Sequence, residues 1–373
     1  MITGDLDRAL ATVIGSAGTW RPAPPGTVCG VRTYVTTIAF WLARGHAGGP
    51  AAVAAGLAAR LSGLDWVEAA AVTGGGYLAA TVTADALAGL AVRITEAGPG
   101  CARSSALAGA SQAAPVATDL ASAPTWEEAR RRVHATVTGR LAEAAGAHVS
   151  WHYEAERITA RYPAAPVTAG PVTAGPVTEG AAVEGPAPPA GPVAEAVAYA
   201  GADAITYALA RLLPRGPARL DARLAAAHHL GNPAYAVQYA HAHAASALRQ
   251  AADLGLSRGE AAGFQPRLLA HPSEQALLNQ LSWLPERAAG AARRARPDVL
   301  AHFLEGLARA YFDCQETCPA VRPGMVVPDG TDRSPAGRAA VQAAAARLWL
   351  AAAARTALGA GLGLLGVGAP DRL

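Results

Sequence analysis

The chain has 373 residues, more than one ordinary domain needs; 51% are hydrophobic but only 5% aromatic, and much of the apolar content is alanine, which favours helix over a bulky core. All 31 basic residues are arginine and the formal net charge is only +3, so contact with phosphate is permitted without being demanded. The absence of lysine excludes a Schiff-base lysine, a P-loop lysine and a lysine clamp on a triphosphate.

The opening stretch MITGDLDRAL lacks a basic n-region and an apolar h-region, which predicts no secretory signal and a cytoplasmic location. Residues 1–95 read as a small α+β unit. Tyr34 to Arg44 has apolar residues at helical spacing, and Pro50 to Leu61 suits an alanine-rich helix. Trp66–Val72 and Tyr77–Val82 look like short strands around the turn Gly74-Gly75-Gly76.

Residues 96–125 are rich in Gly, Ala and Ser and say little. Trp126 to Gly146 predicts a helix, and HVSWHYEAERITARY alternates as a strand would. His148 and His152 are four apart, a spacing that suits a metal only on a helix, so they read as core or solvated residues. Residues 165–192 repeat PVTAG with a period of five. Proline recurs too often there for helix or central strand, which predicts a linker with polyproline character.

From Val193 the chain reads as helices with short punctuation, and several amphipathic helices with short loops make a bundle. Expected helices are AEAVAYAGADAITYALARLL, ARLAAAHHL, a segment opening at Asn232, EQALLNQLSWLPERAAGAARRA, DVLAHFLEGLARAYFDCQ and GRAAVQAAAARLWLAAAARTALGAGLGLLG. The apolar run Leu348 to Val367 is interrupted by Arg355 and the glycines after it, so it predicts buried helix and loop with no membrane span. Cys29, Cys101, Cys314 and Cys318 are too scattered for a disulfide framework. Cys314 and Cys318 lack flanking ligands, so no metal site is expected.

The stretch GNPAYAVQYAHAHAASALR, Gly231 to Arg249, carries the most information. Asn232 suits a helix cap and Pro233 the first helical position. Tyr235, Gln238 and Tyr239 then share a face, combining stacking surface with an amide donor and acceptor; the competing reading packs a tyrosine inside the bundle. His241 and His243 fall on roughly opposite sides of a helix and cannot chelate one metal together.

This helical half resembles the C-terminal part of class I arginyl-tRNA synthetases, whose pattern N-P-x-x-Y-x-Q-Y-A-H-A-R is matched by Asn232, Pro233, Tyr235, Gln238, Tyr239, Ala240, His241 and Ala242. VAEAVAYAGADAITYALAR upstream and HPSEQALLNQLSWLPERA, PDVLAHFLEGLARAYFDCQETC and the final RLWLAAAARTALGAGLGLLGVGAPDRL downstream follow the family in order, over about 180 residues. YVTTIAFWLA and GGGYLAATV are similar to segments of the family's extra N-terminal domain. Arg32 and Thr33 stand at its Gly-Asp positions and Ala79 at its D-loop-reading asparagine; Tyr77 remains as a stacking candidate.

A class I synthetase neutralises phosphate charge with an H-x-G-H motif and a K-M-S-K loop. No histidine here is followed by another three residues later, and without lysine the second motif cannot exist. The resemblance therefore implies a mainly α protein with a small α+β N-terminal domain and a C-terminal anticodon-binding (DALR-type) bundle, of an actinobacterial, synthetase-related kind. Its divisions are 1–95, a degenerate catalytic remnant over 96–164, the linker 165–192, and 193–373 with a bundle core over 232–373.

The expected function is non-catalytic binding of tRNA, with tRNA(Arg) favoured, no cofactor, no DNA and no membrane. Unstacked anticodon bases are read by aromatic stacking and edge hydrogen bonds. The candidate RNA-binding residues are Asn232, Tyr235, Gln238, Tyr239, His241, His243 and Tyr77, with Arg293, Arg294, Arg296, Arg347 and Arg355 as phosphate contacts. His243 replaces the family's arginine, a titratable group in place of a permanent cation. Docking on a synthetase or another translation protein, without RNA, stays open as the alternative.

Overall fold

The computed structural model describes residues 2–14, 30–44, 48–153, 191–218, 220–321 and 335–373. The predicted linker lies outside these residues up to 190. Its last predicted residue, Pro192, is instead the first residue of a helix, a position where the missing N–H costs nothing.

Helix α1 (Ile2–Ile14) buries Ile2, Leu6 and Leu10 along one face. Strand β1 (Thr33–Thr36), helices α2 (Ile38–Leu42) and α3 (Gly49–Leu61), and strands β2 (Val67–Thr73) and β3 (Tyr77–Val82) follow. The strands form an antiparallel sheet in the order β1-β3-β2. The predicted turn between β2 and β3 holds Gly76 at φ +123, where an added Cβ would stand 2.7 Å from that of Pro50. The helix predicted from Tyr34 is shorter than expected. Tyr34, Val35 and Thr36 pair with β3 as strand, because β-branched and aromatic side chains fit a pleated surface. The Thr36 hydroxyl then accepts the Ile38 N–H and turns the chain into α2.

Helices α4 (Ala84–Ala88) and α5 (Leu90–Ala97) lead to a tight turn over 98–102, then strand β4 (Ser111–Pro115), helix α6 (Trp126–Ala144) and strand β5 (His148–His152). Strands β4 and β5 pair in parallel, Ser111 with His148 through Pro115 with His152, so this stretch is a β-α-β unit. Thr125 caps α6 by accepting the Glu128 N–H at 3.2 Å. Helix and sheet meet at Gly139, where a Cβ would lie 2.4 Å from that of Ala114.

The remaining helices are α7 (Pro192–Ala200), α8 (Ala202–Arg211), α9 (Ala222–Ala226), α10 (Pro233–Asp253), α11 (Pro272–Ser282), α12 (Leu284–Arg294), α13 (Pro297–Thr317) and α14 (Pro335–Leu365). Two expected single helices are split. Gly201 at φ +86 separates α7 from α8, and Trp283 with Pro285 separates α11 from α12. The glycines of the last segment do not interrupt it: α14 runs through Gly359, Gly361 and Gly363. Gly361 lets the backbone approach Leu304 of α13, which a Cβ would meet at 2.4 Å. By length and hydropathy α14 is apolar enough to cross a membrane, and 67% of that window is buried inside this protein.

One hydrophobic core runs from Leu6 through Leu90 and Leu141 to Leu304 and Leu358. The N-terminal unit is tied to the bundle at Tyr34, whose hydroxyl is 2.8 Å from Ser282 Oγ and whose ring lies 5.2 Å from that of Trp283.

Candidate nucleic-acid interface

Helix α10 begins as its sequence requires. Asn232 Oδ1 accepts the Ala234 N–H at 3.2 Å, and its amide nitrogen donates to the carbonyls of Ala225 and Ala227, each at 2.8 Å. With 4% of its surface exposed, Asn232 fixes the start of the helix and presents nothing to solvent.

Three residues of α10 at spacing four share one face: Tyr235, Tyr239 and His243. The Tyr235 and Tyr239 rings stack at 5.6 Å and 9°. Tyr235 also stacks on His228 at 5.4 Å, and Tyr239 on Phe312 of α13 at 5.7 Å. His243 meets Tyr239 at 6.1 Å, Tyr311 at 5.7 Å and Phe312 at 5.9 Å, edge to face in each case. The result is a ladder of rings across two helices. Tyr235, Tyr239, His243 and Phe312 are half-buried, and His228 at the end is exposed.

His243 Nδ1 lies 3.0 Å from the Tyr311 hydroxyl. Burial lowers the pKa of this imidazole and raises that of the phenol, so the pair is neutral at pH 7. The position where the synthetase pattern has arginine thus carries no charge. Tyr311, Phe312 and His228 were not among the sequence candidates. Periodicity marked the first two only as apolar positions of an amphipathic helix, and no local signal brings α13 to α10.

Residues 368–371 lie along α10 from Gln238, beside the ladder, round to His241 on the opposite side. Gln238 Nε2 donates to the Gly368 carbonyl at 3.0 Å, and His241 Nδ1 donates to the Pro370 carbonyl at 2.9 Å. Arg249 bonds the Asp371 carbonyl at 3.1 Å, while Arg355 of α14 grips the Asp371 carboxylate with two nitrogens. Asp203 of α8 accepts the Gly368 N–H at 2.9 Å. Gln238 and His241 therefore each bond a main-chain carbonyl of the tail. His241 is buried, and that burial holds its pKa below the usual value, with Arg355 acting the same way.

The arginine candidates are mostly neutralised internally. Arg293 pairs with Glu286 and Arg296 bidentately with Asp298. Arg347 pairs at 2.8 Å with Glu274, itself only 1% exposed. Arg355 pairs with Asp371 of the tail. Arg294 is exposed and has no carboxylate partner among the described residues. Arg296 and Tyr311 are 15 residues apart on α13, about 22 Å along its axis, so the basic run is not beside the ladder. Tyr77 belongs to the N-terminal hairpin, where its ring meets Phe40 edge-on at 4.9 Å.

Residues 237–373 match the family described as the DALR anticodon binding domain, so the C-terminal bundle is of that type. The chain is similar over 177 residues to the arginine–tRNA ligases of Micrococcus luteus (39% identical) and Paenarthrobacter aurescens (36% identical); each match covers 48% of this chain and 30% of the relative. The matched segment thus spans less than a third of those relatives' length. The fold is similar to that of Thermus thermophilus arginyl-tRNA synthetase, with a TM-score of 0.60 at 16% identity over the whole of both chains.

Proposed function

We propose that this chain is a non-catalytic, cytoplasmic relative of the arginine–tRNA ligases that binds the anticodon region of tRNA(Arg) through its DALR bundle. The observation that carries the reading is the ladder of Tyr235, Tyr239 and Phe312, half-buried on a bundle whose residues 237–373, Tyr239 and Phe312 among them, match the anticodon-binding family. Base–aromatic stacking is worth about 1–3 kcal/mol per base. The inner ring faces are already stacked on one another, so a base adds at the ladder's exposed end or edge.

The non-catalytic part of the reading is supported by chemistry. The 373 residues contain no lysine and no H-x-G-H motif, the devices that neutralise phosphate during adenylate formation in the synthetases. In this reading residues 1–95 are the N-terminal-like domain, 96–164 the remnant of a catalytic domain and 193–373 the closing helix and bundle. The parallel pairing of β4 and β5 around α6 supports a remnant nucleotide-binding fold.

A second reading has its own support. Arg293, Arg296, Arg347 and Arg355 are all paired with carboxylates, which leaves little free cation for a phosphate backbone and favours docking on a protein of the translation machinery. Filter binding with tRNA(Arg) and a mismatched tRNA at two salt concentrations separates the two. Selective, salt-dependent binding supports tRNA recognition; no binding at low salt favours the protein partner. Arginine-dependent ATP–pyrophosphate exchange above background would overturn the non-catalytic assignment.

A further inference from the structure

A cavity of about 860 Å³ lies between the turn after α5, the C-terminal end of α6, the middle of α10 and the last turns of α14. Arg103, Arg140 and Arg355 line it, with Glu143 as the one carboxylate. We propose that this cavity is a binding site for a small phosphorylated sugar or nucleotide, with Arg140 as its phosphate-binding group.

Arg140 is the starting observation. Its guanidinium is half-buried and has neither hydrogen-bond acceptor nor carboxylate partner among the described residues, unlike Arg355, which Asp371 satisfies. A guanidinium withdrawn from water needs an acceptor, and its planar fork matches phosphate. Burial lowers its pKa with no charged group opposing, as expected of a cation lacking its counter-ion. The group rests over Gly366, where a Cβ would approach its Nη1 to 2.0 Å, so the backbone there leaves the guanidinium its place.

Two further groups give the cavity a polar side. Ser104 belongs to the lining, and its Oγ is buried just behind the wall without a hydrogen-bond partner. His241 gives its Nδ1 proton to the Pro370 carbonyl, which leaves Nε2 as an acceptor toward Gly359 and suits a ligand hydroxyl. Pro99, Ala102, Ala360 and Leu364 supply apolar wall for the body of the molecule, a mixture typical of small-molecule sites of this size.

The site is distinct from the crevice that the β-α-β unit itself would offer. Such units bind ligands outside the carboxyl ends of their strands, which here lie at Pro115 and His152, beside the start of α6. Arg140 is near the other end of that helix, about 21 Å along its axis from Trp126. The aromatic ladder faces away from it, on the side of α10 opposite His241. The proposal therefore does not depend on tRNA binding.

Isothermal titration of the full chain with ribose 5-phosphate and AMP, with ribose and adenosine as phosphate-free counterparts, tests it. At least one phosphate should bind saturably and about tenfold or more tighter than its counterpart, a difference set by a charged hydrogen bond. Arg140→Met should lose that binding with unchanged thermal unfolding, and Arg294→Gln should retain it. No saturable heat from either phosphate at millimolar concentration, or native-like binding by Arg140→Met, overturns the proposal. A single-stranded oligoribonucleotide is the last arm. If it leaves the heats unchanged, the small-molecule assignment stands; if it displaces the phosphate, the arginines serve a nucleic-acid backbone and the assignment falls.

Discussion

His241 and Pro370, 129 residues apart in the chain, are joined by a 2.9 Å hydrogen bond from the imidazole to the main-chain carbonyl. With Gln238 on Gly368 and Arg355 on Asp371, this bond latches the end of the chain onto α10 and α14. His241→Ala leaves the Pro370 carbonyl without its donor and should destabilise the protein by about 1–3 kcal/mol. Urea unfolding measures it, and a midpoint equal to the native one would show that the latch carries no stability.

Stability should fall as the pH drops from 7 toward 5.5. Burial lowers the folded-state pKa of His134, His241 and His243, whereas an unfolded imidazole titrates near about 6.5. The unfolded chain therefore takes up protons first on acidification. The contribution of these neutral histidines is complete above about pH 6.5 and is lost progressively below it. Asp371 and Glu128, whose pKa values are lowered by arginine hydrogen bonds, act only in the more acidic carboxylate range. A urea midpoint constant between pH 7 and about 5.5 would contradict this assignment.

Glu274 is 1% exposed and is held by Arg347 at 2.8 Å while it also accepts the His271 N–H at the start of α11. Arg347→Met strands a buried carboxylate and should cost about 3 kcal/mol. Adding Glu274→Gln removes the charge but keeps an acceptor for the cap, so the double variant should regain part of the loss. If the double variant is less stable than Arg347→Met alone, the charge is not the cause.

On the proposed function, Tyr239→Ala removes the ring that holds the ladder's base-stacking end in place and should weaken tRNA binding by about 1 kcal/mol, the low end of a direct stacking contact. Tyr239→Phe keeps the ring and should bind within about twofold of native, because stacking needs only the π-face. Filter binding reads both, with thermal unfolding as the control for folding. Equal binding by native and Ala proteins would remove the ladder from recognition.

What was legible in the sequence was what neighbours along the chain decide. Asn232-Pro233 announced the start of α10 because a cap and a first-turn proline act within three residues. Helical spacing put Tyr235 and Tyr239 on one face and His241 and His243 on roughly opposite sides, while His243's place in the ladder emerged only from the fold. Local reading failed where a distant strand outweighed it, as at Tyr34–Thr36, which periodicity assigned to helix and pairing with β3 made strand. It failed again at β4, whose bland SQAAP becomes a strand only beside β5.

By itself, then, the sequence determined the helical character of the C-terminal half, the resemblance to a tRNA-reading bundle and the loss of lysine-dependent phosphate chemistry, since propensity, spacing and residue type suffice for those. The tertiary structure decided which side chains remain free to act. Charges and polar groups are satisfied by whatever partner folding brings near, and those partners lie far off in the chain: Glu274 for Arg347, Pro370 for His241, Phe312 for Tyr239. Arg140, which no motif marked, stands out only because folding brought it no partner at all among the described residues.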